Sequence, residues 1–180
     1  MKERAWIVKE YCRLVNENIY FIKTYFEGIV PAGRPENEIY WRTKATGEQL
    51  RVLWEKEAGN ESKLQGKKVN FAYVGNGNRA EAEINRILGE YLNYATEYLE
   101  KGEPWNTIEQ DRKACRNTVL NSLQMIANLA VWLAILGEYP ANSVLKWLEL
   151  EAAWKVQSVH SGVELSKAEE LVLPVISCGA

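Results

Sequence analysis

Apolar residues recur along the first thirty positions at intervals that only a helix gathers onto one side. Val8, Cys12, Val15, Ile19, Ile22 and Phe26 are spaced 4, 3, 4, 3 and 4 residues apart, which predicts one helix with a single buried seam. Gly28 and Pro31 end it. At about 100° per residue, Lys9, Arg13 and Glu17 fall on the side turned away from that seam. A second seam, Ile84, Leu88, Tyr91, Ala95 and Tyr98, opens after Asn78 and closes at Gly102. Pro104-Trp105 reads as a short connection, and Thr107 with Gln110 makes a capping box that opens a long helix reaching Gly137. Residues 119–134 are apolar on most sides, as suits the centre of a bundle. Pro140 interrupts, and a short helix crosses Ser143 to about Glu151. From Trp154 to Ala180 the chain reads as extended or irregular.

Residues 32–77 follow a different rule. Ile39, Trp41 and Thr43, then Leu50, Val52 and Trp54, alternate as strands do, around a turn at Ala45-Thr46-Gly47-Glu48. A short helix capped by Thr46, with Gln49 at the capping-box position, fits the same residues. A third strand-like run, Val69 to Val74, ends at Gly75-Asn76-Gly77-Asn78. The expectation is a mainly α chain, a single helical domain over residues 1–180, with a possible small β insertion at about residues 36–74. Since the seams on either side are complete, that insertion is expected to be dispensable to the bundle.

Composition adds constraints. Hydrophobic residues make up 47% and charged residues 26%, which suits a globular domain with a real core. Uninterrupted apolar runs fall short of the roughly 18–20 residues of a membrane span, and the charged N-terminus is no secretory signal. Cys12, Cys115 and Cys178 are odd in number and widely spaced, which fits neither a zinc nor a disulfide framework. A cytoplasmic protein with no membrane partner is expected. A net charge of −2 disfavours a self-sufficient nucleic-acid binder, although it leaves room for a module that makes a few base contacts.

Candidate chemistry is sparse, and neither a catalytic residue, a metal site nor a cofactor is expected. The Gly75–Asn78 loop could cradle a phosphate, but it lacks the Lys-Ser/Thr of a P-loop and is read as a plain turn. Cys115 stands beside Arg112, Lys113 and Arg116, which could lower a thiol pKa; with no histidine near, a buried cysteine is the simpler reading. His160 with Glu164 is half a metal site at most. Of seven tryptophans most should anchor the core, and Trp105, after a proline and before a cap, is accounted for by packing on sequence alone.

Three segments in order resemble one family. Asn18-Ile-Tyr-Phe-Ile-Lys-Thr-Tyr-Phe-Glu-Gly-Ile-Val-Pro31 looks like the first helix of the anticodon-binding domain of class I methionyl-tRNA synthetases. Glu90 to Trp105, ending Gly-Glu-Pro-Trp, resembles that family's second helical hairpin, and residues 120–148 the long helix and proline break after it. The tail, residues 154–176, is loosely similar to the return strand. Residues 32–77 are longer than the family's connection and match it poorly. The resemblance implies a helical bundle that recognises a tRNA anticodon stem-loop, with Trp105 stacking on an unpaired base. It puts Arg13 and Glu17 at the two polar positions of the first helix, where the family carries Asn and Arg, and leaves Lys9 as a phosphate contact. The HIGH and KMSKS signatures of the catalytic domain are absent from this sequence. The resemblance thus implies a detached or split part of a methionyl-tRNA synthetase, with a catalytic domain acting in trans. A free-standing helical interaction module that no longer reads the methionine anticodon is the alternative.

Overall fold

The computed structural model describes residues 2–62 and 78–171, and its ordered elements are all helices. They are α1 (Lys2–Tyr25), α2 (Asn37–Ser62), α3 (Asn78–Gly102), α4 (Pro104–Gln110), α5 (Arg112–Ile135) and α6 (Tyr139–Trp147). The apolar middle of α5 explains the architecture: buried on nearly every side, it packs against all five other helices. By length and hydropathy α5 could cross a membrane, but 83% of its most apolar window lies inside the bundle, as expected of a core helix. The helix α1 lies against α3 and α5 through the predicted seam, with Val8, Cys12, Val15, Ile19 and Ile22 all buried. On α3, Ile84, Leu88, Tyr91 and Ala95 are buried likewise.

Over residues 37–62 the β insertion is not there; this stretch is the helix α2. Ile39, Thr43 and Leu50 are buried, while Trp41 and Val52 are 60% and 52% exposed. Positions 39 and 43, like 50 and 54, are four apart and share a helical face as readily as a strand face. The aromatic between them points outward, so the alternation was a helical seam seen at every fourth residue. Thr46 lies in mid-helix and caps nothing, and Gly47 sits where a side chain would press on the indole of Trp132. Nor does the segment stand apart from the bundle. Ile39 and Leu50 belong to the common core, and the hydroxyl of buried Thr43 bonds the buried Tyr91 hydroxyl of α3 at 2.5 Å. The third strand-like run, Val69–Val74, and the loop Gly75–Gly77 lie outside the described residues, as does the run at residues 172–176.

The long helix also begins later than the capping box suggested. The hydroxyl of Thr107 donates to the Glu103 carbonyl at 3.1 Å, inside the separate short helix α4. The N-cap of α5 is Asp111, whose Oδ1 accepts from the backbone N–H of Lys113 at 3.1 Å and of Ala114 at 3.0 Å. At its other end α5 stops at Gly137 (φ +86°). The N–H groups of Gly137 and Glu138 reach back to the carbonyls of Ala134 and Leu133, a paired C-terminal cap that needs the left-handed residue. The helix α6 starts with Pro140 in its first turn, where a missing N–H costs nothing.

Beyond α6 the described chain has no helix, so its backbone groups need other partners. Three amide side chains supply them as two-point clips. The Asn128 amide donates to the Gln157 carbonyl and accepts from its N–H (3.0 and 2.9 Å); Gln124 does the same for Val159 (2.8 and 2.9 Å), and Asn16 for Leu171 (3.0 and 2.8 Å). Between them an antiparallel bridge joins Ile29 to Glu164, flanked by Val30 N–H to the Val163 carbonyl and Gly162 N–H to the Val30 carbonyl, both 2.9 Å. Lys23 also caps the Ala168 carbonyl.

Candidate nucleic-acid interface

Trp105 stands where the chain turns sharply. Gly102 ends α3, Glu103 adopts a left-handed backbone (φ +39°), and Pro104 opens α4. Pro104 is buried, and its carbonyl accepts from the Cys115 thiol at 3.5 Å, which fixes the start of α4 one turn into α5. With its neighbour anchored inward, the Trp105 ring is 50% exposed. Of the other tryptophans, Trp132 is buried, Trp54, Trp147 and Trp154 pack against the core, and Trp6 and Trp41 are exposed. Burial therefore does not account for Trp105.

Lys9, Arg13 and Glu17 form an exposed stripe along α1, spaced one turn apart. Arg13 is engaged within that stripe: its guanidinium meets Glu10 at 2.9 Å and Glu17 at 3.8 Å. Both partners are within one turn on a surface helix, so the pairs are weak, about 0.3–0.5 kcal/mol each. Lys9 has no ion pair among the described residues. The stripe continues to Tyr20, which is 71% exposed.

Arg112, near the start of α5, donates to the Tyr25 carbonyl at 3.5 Å, so the C-terminal end of α1 is level with the first turn of α5. Arg13 lies twelve residues and Lys9 sixteen residues back from Tyr25, about 18 and 24 Å along the helix at about 1.5 Å per residue. No hydrogen bond, ion pair or ring contact joins Trp105 to Lys9, Arg13 or Glu17 among the described residues. Sequence reasoning passed over what lies nearer this end. Arg112 stacks 5.9 Å from the Phe26 ring, and Arg112 and Arg116 line a depression of about 440 Å³ with Tyr25, Phe26, Ser161 and Gly162. Arg34 lies alongside, its backbone N–H bonded to Asn117 at 2.8 Å. The sequence signal for the arginines on α5 was their one-turn spacing, but they had been weighed only as neighbours of a thiol. Tyr20 was seven residues from Arg13 on the same stripe.

The other candidates shrink. Burial pushes the Cys115 thiol above its ordinary range, against the lowering by Arg112 and Arg116 that the sequence suggested. His160 is exposed, Glu164 accepts from the Ser166 hydroxyl at 2.5 Å, and no cluster of metal-binding side chains exists among the described residues.

No family profile matches the chain. It is 26% identical over 156 residues to methionine–tRNA ligase 1 of Alkaliphilus oremlandii, covering 86% of this chain and 25% of that protein. It is 24% identical over 167 residues to the methionine–tRNA ligase of Pyrococcus horikoshii, 92% of this chain and 21% of the relative. The free form of Mycobacterium tuberculosis methionyl-tRNA synthetase superposes with a TM-score of 0.66 at 16% identity, over 93% of this chain and 32% of that one. The chain spans a quarter or less of the length of these two ligases. It is related in sequence to a segment of methionyl-tRNA synthetases, and it shares the fold of a helical segment of one of them.

Proposed function

We propose that the chain recognises the anticodon loop of a tRNA, in the service of methionyl-tRNA synthesis, as a detached or split part of a synthetase whose catalytic domain acts in trans in the cytoplasm. The observation that carries this reading is the half-exposed Trp105 ring, held outward by buried Pro104 and the left-handed turn at Glu103, in a chain related over most of its length to methionyl-tRNA synthetases. An unpaired base stacks on such a ring regardless of the protein's net charge. The phosphates on either side then meet Arg112 and Arg116 at the same end of the bundle, and Lys9 and Arg13 along α1.

The test is titration of the domain with tRNA anticodon stem-loops of several sequences at fixed, modest salt. Stacking on an aromatic is worth about 1–3 kcal/mol, so Trp105→Ala weakens binding roughly 5- to 150-fold. Arg13→Ala weakens it less, and Glu17→Arg tightens it, since it removes a carboxylate that competes with phosphate for Arg13. Absence of saturable binding by the wild type, or equal binding by folded Trp105→Ala, refutes the proposal. The second reading, a helical module that binds protein, draws on Arg13 being bracketed by two carboxylates. It gains if the stem-loops fail to bind.

A further inference from the structure

A separate groove lies between α2, α5 and the tail after α6. Its walls are Tyr40, Lys44 and Gly47 of α2 and Trp154 and Lys155 of the tail, its floor is Trp132 of α5, and its volume is about 340 Å³. That is near the lower end of small-ligand pockets, roughly 300–1,000 Å³. Nearly all of the Trp132 ring is buried, yet its indole N–H has no hydrogen-bond acceptor among the described residues. That N–H is not one of the sealed polar atoms that lack a partner, so solvent reaches it through the groove, and a ligand acceptor would take the place of a water there. The indole nitrogen is the atom nearest to where a Gly47 Cβ would stand, at 3.3 Å, so the bare glycine leaves this N–H open to the groove. The charge at the mouth is positive. Glu48, which also lines the groove, is held by Arg51 at 2.5 Å and lies in the field of Lys44; Lys44 makes a cation–π contact, 5.1 Å from the Trp41 ring, and Lys155 touches Glu151 at 4.0 Å.

We propose that this groove holds one nucleotide unit: its base lies beside Tyr40 and Trp154 with a ring acceptor on the Trp132 indole N–H, and its phosphate meets Lys44 and Lys155. Aromatic walls, an indole donor on the floor and two cations match a planar heterocycle that carries an anion, and they suit neither a purely apolar ligand nor a cation. The unit is either a free mononucleotide or one nucleotide of an RNA strand. The site shares no residue with the Trp105 interface and does not depend on it.

The experiment follows the indole N–H signal of Trp132 in the ¹⁵N-labelled full chain, assigned by its loss in Trp132→Phe. The four 5′-ribonucleoside monophosphates, a short single-stranded oligoribonucleotide and inorganic phosphate are titrated separately to millimolar concentration. A saturable shift with a monophosphate assigns the free nucleotide, and a shift with the oligonucleotide alone assigns a nucleotide within a strand. Gly47→Ala, a change that favours the helix, places a methyl against the indole nitrogen and weakens binding by about tenfold, the loss expected for one hydrogen bond. Trp105→Ala leaves this binding unchanged, so failure of the anticodon reading and failure of this one are separable. No shift with any probe, an equal shift with phosphate alone, or unaltered binding by folded Gly47→Ala overturns the proposal.

Discussion

Replacing Asn128 by alanine tests whether the side-chain clips hold the tail to the bundle as their burial implies. Asn128 is 2% exposed and Gln157 8% exposed. The asparagine amide donates to the Gln124 carbonyl at 2.8 Å and the Gln157 carbonyl at 3.0 Å, and accepts from the Gln157 N–H at 2.9 Å. Alanine leaves the Gln157 N–H and carbonyl buried without partners, beside a Gln157 side-chain nitrogen that already lacks one. Each buried orphan costs about 1–3 kcal/mol, so the substitution destabilises by about 2–5 kcal/mol. The neighbouring groove admits water to part of this site, which places the expected value toward the lower half of that range. Domains of this kind have about 5–15 kcal/mol in total, so the change is large. The internal control is Asn16→Ala, which removes the same two-point clip at Leu171. That site is only part-buried, so water replaces the lost bonds and the cost is about 0.5–1.5 kcal/mol. Urea unfolding followed by circular dichroism gives both values, provided the slope is unchanged. If Asn128→Ala costs no more than Asn16→Ala, burial does not set the worth of these clips, and the account of the tail fails.

Three further outcomes follow. In a Cys178→Ser background, Cys12 and Cys115 react slowly with an aromatic disulfide reagent until the protein unfolds; burial pushes the Cys12 thiol up to about 11, which lowers its thiolate fraction at neutral pH about a hundredfold. Because its folded pKa is raised, the stability Cys12 contributes is intact below its ordinary value near 9 and is lost as pH climbs from there through about 11, so Cys12→Ala flattens the alkaline limb of a stability–pH profile. Asp111→Ala removes two capping bonds at the break between α4 and α5 and costs about 1 kcal/mol, while Thr107→Ala, which caps nothing, costs less; the reverse order in thermal unfolding would restore the single long helix.

The helices α1, α3 and α5 were legible because each seam is long and sampled at both three- and four-residue steps, a pattern that strands cannot imitate. In α2 the informative positions happened to fall four apart, where the two periodicities coincide, and Gly47 argued further against a helix. What that glycine does, letting α2 approach the Trp132 ring, needs the tertiary structure to be seen. The capping box at Thr107 was a genuine local pattern, outcompeted by Asp111 four residues on, whose carboxylate meets the N–H groups at both its second and third following positions. The tail gave no periodic signal because its partners are amides on α1 and α5, some thirty to over one hundred and fifty residues away in sequence.

The candidate sites divide along the same line. That Trp105 faces outward was not legible, since packing accounted for it on sequence alone, whereas the exposure of Lys9, Arg13 and Glu17 follows from helical geometry. Arg13's pairing with Glu10 and Glu17 was open to inspection too, at spacings of three and four. The separation of this stripe from Trp105 was not, since it depends on which turn of α1 lies level with the start of α5. Any RNA loop that engages Trp105 and Lys9 together must therefore span the length of several helical turns; a single base cannot do so. On the proposed reading Arg112 and Arg116, close to Tyr25 and Phe26 at that end, would carry the nearer phosphates, and Lys9 would serve only the far side of a loop. The groove over Trp132 was beyond sequence altogether. It joins residues 40–48, 128–132 and 154–156, and its defining feature is an indole N–H that opens on the groove beside a bare glycine.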